Sequence, residues 1–203
     1  MTDATYNTKV YHKQGGDEIV VASGGAITVE SGGSLDITSF TNGAPGAGIS
    51  GGTGTVFKTS VQRVGDIIKT SILIDLTGLA SSTTDLDIIG VGASAAYLGQ
   101  ITAARNGTIF SGRMTCLEVP AGGADDIDLY SATEATGVFD AGIGTLAETA
   151  LITSGGAWTL AGVKAFGNMP AADEYLYLTG GEAGTAATYT AGKFLIELEG
   201  YAA

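Results

Sequence analysis

Cysteine and histidine are nearly absent from this chain of 203 residues, and their scarcity excludes several kinds of chemistry. One of each occurs, Cys116 and His12, so the chain has neither an internal disulfide pair nor a Cys/His set of the kind that zinc requires. His12 lies in a polar N-terminal stretch, and the sequence has no Gly-x-Ser-x-Gly motif to go with it. We therefore predict that the chain is not an enzyme and has no catalytic residues. We expect Cys116 to be a buried small hydrophobic residue.

Positive charge and long apolar runs are also lacking. Nine Lys and Arg residues stand against 21 Asp and Glu residues, which gives a formal net charge of −12. Phosphate backbones are bound by clustered Lys and Arg, so we predict no contact with nucleic acid. No apolar run approaches the roughly 20 residues that cross a bilayer, and the N-terminus has no secretory signal. We therefore expect a protein that is made in the cytoplasm and does not bind membranes.

Acidic residues form two small groups that deserve comparison with calcium sites. Calcium takes six to eight oxygen ligands, and Asp125, Asp126 and Asp128, or Asp85 and Asp87, are candidates. Neither group fits the EF-hand loop or the glycine-rich calcium repeat. We interpret both groups as solvated turn carboxylates and predict no metal site and no cofactor. Structural calcium at a subunit contact is the alternative.

Glycine is abundant, with 33 residues, and two of its clusters form a short repeat. Residues 21–27 (VASGGAI) and 29–35 (VESGGSL) share the pattern V-x-S-G-G-x-aliphatic. Ser-Gly-Gly favours a turn, and the flanking aliphatic residues favour short strands. Two such units are too small to bury their own apolar side, so the main domain, the same segment of other copies or a larger surface must cover it. We predict that the following residues lie at contacts between subunits: Val20, Val21, Ile27, Val29 and Leu35.

The rest of the chain predicts an all-β protein with four parts. These are an extended N-terminal arm (1–14), the Gly-rich β-repeat (15–40), a linker (41–54) and a β-sandwich domain (55–203). Nine or ten short strands separated by turn residues predict an antiparallel sandwich of jelly-roll type, with an immunoglobulin-like sandwich as the alternative.

Two local patterns in the body give sharper expectations. Asn106-Gly107 predicts a tight type I′ hairpin turn between strands at 97–104 and 108–119. In the last strand, 193–201, the alternation places Phe194, Ile196 and Leu198 on one face, and Lys193, Leu195, Glu197 and Glu199 on the other.

The N-terminal motifs resemble those of a known group of proteins. Residues 10–17 (VYHKQGGD), 20–25 (VVASGG) and 29–33 (VESGG) are similar to the opening of many tailed-bacteriophage virion proteins of the head decoration, cement or fibre type. The resemblance implies a homotrimer with a β-sandwich body, located on the outer capsid surface of the virion. It carries over no catalytic residue.

These observations together lead us to expect a capsid decoration or cement protein. It would bridge subunits of the phage major capsid protein and stabilise the head by burying surface at many repeated contacts. The alternatives are a phage fibre or receptor-binding protein that recognises host surface glycans, and a carbohydrate-active enzyme. The following aromatic residues could line a sugar site, although cross-strand packing is the more usual role of such residues: Tyr97, Tyr130, Trp158, Tyr175, Tyr177, Tyr189 and Tyr201.

Overall fold

The computed structural model describes residues 10–12, 19–21, 42–181, 184 and 186–202. The chain divides into two compact units, residues 1–38 and residues 39–203. In the first unit, strands β1 (Val10–His12) and β2 (Ile19–Val21) form an antiparallel pair in which Val10 lies opposite Val21. Residues 10–12 of the predicted extended arm pair with β2, and the rest of residues 1–14 lie outside the described residues.

The second unit consists mainly of short antiparallel strands. In chain order its elements are α1 (Ala47–Ser50), β3 (Val56–Val64), β4 (Ile67–Asp75), β5 (Ala80–Ser81), β6 (Gly99–Gln100), α2 (Ala103–Asn106), β7 (Thr108–Ala121), β8 (Ile127–Ala132), a 3-10 turn (Ile143–Thr145), β9 (Glu148–Ile152), β10 (Val163–Ala165), β11 (Tyr175–Gly180), β12 (Ala187–Thr188) and β13 (Ala191–Tyr201). The described residues are mostly in antiparallel β-strands with few helices, so the all-β prediction is confirmed. No helix within the described ranges is long and apolar enough to cross a membrane.

The larger sheet has five strands in the order β10-β7-β13-β4-β3. Its strands alternate between buried and partly exposed residues, as expected for a sheet with one face on the core. In β13, Phe194, Ile196 and Leu198 are buried, so the predicted assignment of faces in this strand is confirmed. Strand β13 lies at the centre, paired with β4 on one side and β7 on the other.

The smaller sheet has four strands in the order β6-β11-β8-β9, and it is covered on both faces. Every residue of β8 is buried, as are nearly all residues of β11. Residues of both its faces belong to the same hydrophobic core as the larger sheet, and residues outside the strands, such as Ile88, Leu98 and Ile143, belong to that core as well. Cys116 is among its fully buried members, which confirms that prediction.

Residues 42–54, which we predicted as part of a linker, are packed into the second unit. Helix α1 places Ile49 in the core with no exposed surface. Gly48 lies so close to the neighbouring segment that a Cβ on it would be 2.4 Å from the carbonyl oxygen of Ser94. Glycine is needed here for close approach of two backbones, a role that composition alone does not distinguish from flexibility.

The predicted type I′ hairpin at Asn106-Gly107 is wrong. Asn106 is the last residue of α2, and β6 pairs with β11 rather than with β7. The Asn106 side chain is buried, where its Nδ2 donates to Asn42 Oδ1 (2.7 Å) and Thr70 Oγ1 (2.8 Å). Its Oδ1 accepts a hydrogen bond from the Thr102 backbone N–H at 2.8 Å. The hydrogen bonds to Asn42 and Thr70 join Asn106 to distant parts of the chain, so Asn106 does not form a local hairpin turn.

Candidate functional site

The residues that we predicted at subunit contacts lie in the first unit. Val20 and Val21 belong to β2, where Val20 pairs with Tyr11 and Val21 with Val10. Val21 is exposed. Ile27, Val29 and Leu35 lie outside the described residues. The role of these five residues at subunit contacts stays a prediction.

The outer face of the larger sheet carries two rows of alternating charge across its three central strands. In the first row, Lys193 Nζ lies 3.2 Å from Asp75 Oδ2 and 2.6 Å from Glu118 Oε2. In the second, Glu197 binds Lys69 Nζ through Oε1 at 2.7 Å and Arg113 Nη2 through Oε2 at 2.6 Å. In each row the middle residue belongs to β13, so β13 is tied to both of its neighbours.

These rows shift the titration of their central groups. Hydrogen bonds from Lys69 and Arg113 hold the pKa of Glu197 below its ordinary value, although partial burial opposes them. Hydrogen bonds to Glu118 and Asp75 raise the pKa of Lys193. The ionised forms of Glu197 and Lys193 are therefore favoured in the folded state at neutral pH. A small surface depression of about 80 Å³ lies over the Glu197 row, well below the size of a typical small-molecule pocket.

We expect the Glu197→Gln variant to lose an acid-sensitive part of the chain's stability. The folded-state pKa of Glu197 lies below its ordinary value of 4.5, so the contribution is present above that pH and is lost as pH falls through the folded-state pKa. At about pH 7 the variant should be less stable by about 1 kcal/mol, and near about pH 3 the two proteins should be alike. Thermal melts across this range measure the difference.

Glu199→Gln is the matched control for that experiment. Glu199 lies on the same outer face of β13, but the described residues offer it no ion pair within 4.0 Å. Its replacement should change the melting temperature little at either pH. If the difference in melting temperature between wild type and Glu197→Gln stays constant with pH, the Lys69–Glu197–Arg113 row does not stabilise the fold through charge.

One end of the outer face is apolar instead of charged. Val64 and Ile67 lie opposite each other in β3 and β4, and Ile67 lies opposite Tyr201 in β13. The Phe110 ring lies 6.4 Å from that of Tyr201 between centroids. Val64 is 80% exposed, and the other three side chains are about half exposed. We call these four residues the apolar end patch.

Charged groups border the apolar end patch. Arg63 and Asp66 flank the turn between β3 and β4 and form an exposed ion pair of 3.7 Å. On the inner side, Lys69 and Glu199 occupy the next position of the register. An exposed apolar cluster with a charged rim is typical of a protein-binding surface.

A second exposed apolar group lies at the β10 edge of the same sheet. Residues 160–163 run beside β7, with Cys116 N–H donating to Gly162 and Ala161 N–H donating to Cys116. Leu117, Leu160 and Val163 are all exposed here. Strand β10 has only three residues, which limits the length of the open edge.

Three of the five candidate calcium-binding acids are buried, contrary to our interpretation of them as solvated. Asp126 and Asp128 each expose 3% of their surface, and Asp87 is buried as well, whereas Asp125 and Asp85 are exposed as predicted. Burial raises the pKa of Asp126 and of Asp128. Repulsion from neighbouring carboxylates raises both pKa values further. The burial of Asp126 and Asp128 could not be predicted from neighbouring residues, because β11 and residues near Ser154 cover these side chains from elsewhere in the chain.

Most of the aromatic residues that could line a sugar site are inside the protein. Tyr130, Trp158, Tyr177 and Tyr189 are buried, and the rings of Tyr97 and Tyr175 contact each other at a tilt of 60° with centroids 5.0 Å apart. Trp158 packs edge-on against Phe194 at 5.2 Å and donates a hydrogen bond from Nε1 to the Ile127 carbonyl. Tyr201 is the exposed one of the seven, in the apolar end patch.

Comparison of the chain with protein-family models, with curated proteins and with solved structures finds no match. In the parts of the chain that the structure describes, no group of three or more His, Cys, Asp or Glu side chains is placed to hold a metal ion. The features with a distinctive chemistry are the apolar end patch, the charge rows beside it, the exposed apolar group at the β10 edge and the buried pair Asp126 and Asp128.

Proposed function

We propose that this chain is a non-enzymatic structural protein of a phage virion, a decoration or cement protein that bridges subunits of the major capsid protein on the head. The observation that carries the proposal is the apolar end patch. Four large hydrophobic side chains stand exposed on a sheet whose other face already fills a complete core. Folding gives no reason for this exposure, whereas binding to another protein does.

The rest of the proposal follows from the sequence. The V-x-S-G-G repeat within residues 15–40 joins three copies, and the apolar end patch of each copy faces the capsid. Trimerisation strengthens the attachment because three weak contacts act together. The net charge of −12 keeps free copies apart until a capsid is present. A jelly-roll connection of the strands remains part of this proposal.

We expect a variant with Val64→Asp and Ile67→Asp to remain folded and to lose capsid binding. Both side chains point to solvent, so the core is untouched, while two charges at the centre of the contact would have to be desolvated. Loss of a central contact of about 2 kcal/mol weakens binding about 30-fold. Sedimentation of the full chain with phage heads that lack it measures bound copies per head.

Leu160→Asp together with Val163→Asp provides the matched control, because it places the same two charges on exposed apolar residues at the opposite edge of the same sheet. Light scattering after gel filtration adds the second readout. The full chain and both variants should be trimers, and a chain lacking residues 1–37 should be a monomer. Capsid binding by the Val64/Ile67 variant at the wild-type level would overturn the assignment of the patch. A trimer that survives the deletion would overturn the assignment of the repeat.

The alternative is a fibre or receptor-binding protein that recognises host surface glycans. The adjacent exposed rings of Phe110 and Tyr201 favour it, since a sugar ring stacks on such a pair. Copy number separates the two functions. Hundreds of copies on each particle support decoration, whereas a handful of copies together with binding to a glycan array supports the fibre.

A further inference from the structure

Asp126 and Asp128 lie beside Thr179 of β11 and Gly181, the residue that follows β11. These four residues form a compact square. Asp128 lies directly opposite Thr179, and the Gly181 N–H donates to the Asp126 carbonyl at 2.9 Å, which extends the pairing by one step on the same face. Residues two apart on a strand, and residues directly opposite on its partner, point to the same side of a sheet. The two carboxylates and the Thr179 hydroxyl therefore share one side of the smaller sheet.

The carboxylate oxygens converge above Gly181. A Cβ built on this glycine would lie 2.5 Å from Asp126 Oδ1 and 2.9 Å from Asp128 Oδ1. The side chains thus occupy the space that a larger residue at 181 would fill. Asp128 Oδ1 also accepts a hydrogen bond from the Ser154 N–H, which fixes its position.

Two oxygens of this square have no hydrogen-bond partner among the described residues. They are Asp126 Oδ1 and Thr179 Oγ1, and both atoms are inaccessible to solvent. Asp126 as a whole is 3% exposed and Thr179 is 0% exposed. Buried polar atoms are nearly always satisfied, by protein, water or an ion, so two neighbouring orphans indicate a missing partner.

The charge around the square is also unbalanced. Lys164 is the cation that acts on both carboxylates, but its Nζ donates to the Ser154 carbonyl and lies over the Trp158 ring at 4.9 Å. No ion pair within 4.0 Å joins Lys164 to either Asp in the described part of the chain. Asp85 and Asp125 lie nearby and add further negative charge. One lysine cannot neutralise two buried carboxylates.

We propose that Asp126, Asp128 and Thr179 form a binding site for a calcium ion. All of the donors are oxygens, which selects a hard cation over zinc or copper. Calcium tolerates irregular geometry and completes its shell with backbone carbonyls and water, whereas Mg²⁺ requires a regular octahedron. Because the site has only two carboxylates, we place it in the weak class of calcium sites, with a dissociation constant of about 10⁻⁴–10⁻³ M.

Terbium luminescence tests the site directly, because Tb³⁺ replaces Ca²⁺ and emits when a nearby tryptophan is excited. The chain has a single tryptophan, Trp158, whose backbone N–H binds the Asp125 carbonyl at 3.0 Å and whose Nε1 binds the Ile127 carbonyl at 2.8 Å. We expect the full chain to sensitise Tb³⁺ on tryptophan excitation, and we expect millimolar Ca²⁺ to displace it. Calcium at 100 times its dissociation constant should raise the melting temperature by about 5–10 °C.

Matched variants distinguish binding at this site from the general attraction of cations to an acidic protein. Asp126→Asn with Asp128→Asn should reduce the calcium-displaceable emission at least about tenfold, whereas the exposed neighbour Asp125→Asn should retain it. Should the double variant fail to fold, Gly181→Ala serves instead, because its methyl group would occupy the point on which the two oxygens converge. It should weaken calcium binding to a similar extent.

Two results would overturn the proposal. One is terbium emission in the Asp126/Asp128 double variant at the wild-type level. The other is a wild-type chain with no calcium-displaceable emission, and Asp→Asn variants that melt at a higher temperature than wild type would then show what replaces the ion. In that case the pair is satisfied by a shared proton, and replacing it by neutral amides relieves the repulsion.

Discussion

Replacing Gly107 by alanine should destabilise the protein by about 3 kcal/mol or more, which is among the largest effects of any single methyl group in this chain. Gly107 has φ 70° and ψ −163°, a conformation that is essentially restricted to glycine. A Cβ here would also lie 2.3 Å from the Tyr201 carbonyl oxygen. Because that oxygen belongs to the backbone of β13, the clash cannot be relieved by rotating a side chain. Chemical denaturation gives the free energy of unfolding.

Gly92→Ala is the control for the conformational part of this effect. Gly92 has a similar φ of 64°, but nothing lies within 4 Å of a Cβ built on it. Its replacement should cost about 1 kcal/mol, the ordinary penalty for alanine at positive φ. Equal losses in the two variants would mean that Gly107 is not held against β13, and that the end of α2 is free to move away from the sheet.

Replacing Phe194 by alanine should destabilise the protein by about 3–5 kcal/mol. Phe194 has no exposed surface, lies at the centre of the larger sheet between Ile74 and Cys116, and contacts the Trp158 ring edge-on. Its removal leaves a cavity beside an aromatic partner, so both the burial and the ring contact are lost. Denaturation followed by the fluorescence of Trp158 measures the loss and also reports the changed surroundings of that ring.

Leu195→Ala tests the assignment of faces in β13. Leu195 is the next residue in the chain, but it points to the outer face and is only partly buried. We expect a loss of about 1 kcal/mol, because less apolar area leaves water when this side chain folds into place. If Leu195→Ala were as harmful as Phe194→Ala, the alternation of the strand would be wrong, since a register shift by one residue exchanges the two faces.

Patterns that depend on a few adjacent residues could be predicted from the sequence. The alternation of Phe194, Ile196 and Leu198 with Lys193 and Glu197 identified both faces of β13 correctly, because a strand that is buried on one side has a period of two. The single Cys116 was correctly predicted as a core residue. The all-β class followed from short apolar runs between turn residues, which is again local information.

Asn106 and the predicted linker show where local information was insufficient. Asn-Gly usually makes a hairpin turn, but Asn106 donates instead to Asn42, which is 64 residues away in the chain. Residues 42–54 have the composition of a linker, yet Ile49 is in the core and Gly48 meets the backbone at Ser94. In both places the local structure depends on a partner that is distant in sequence. A pattern of neighbouring residues cannot predict such a partner.

The features of the candidate sites also fall into two groups, those that the sequence predicts and those that depend on the tertiary structure. The sequence by itself determined the acidic charge, the scarcity of Cys and His and which residues of β13 face the core, because these depend on composition and on a period of two. Only the tertiary structure decided that Asp126 and Asp128 are buried under β11, and that Val64, Ile67, Phe110 and Tyr201 meet at one end of a sheet. Both arrangements bring together strands that are far apart in the chain, and burial depends on what covers a residue from outside its own segment.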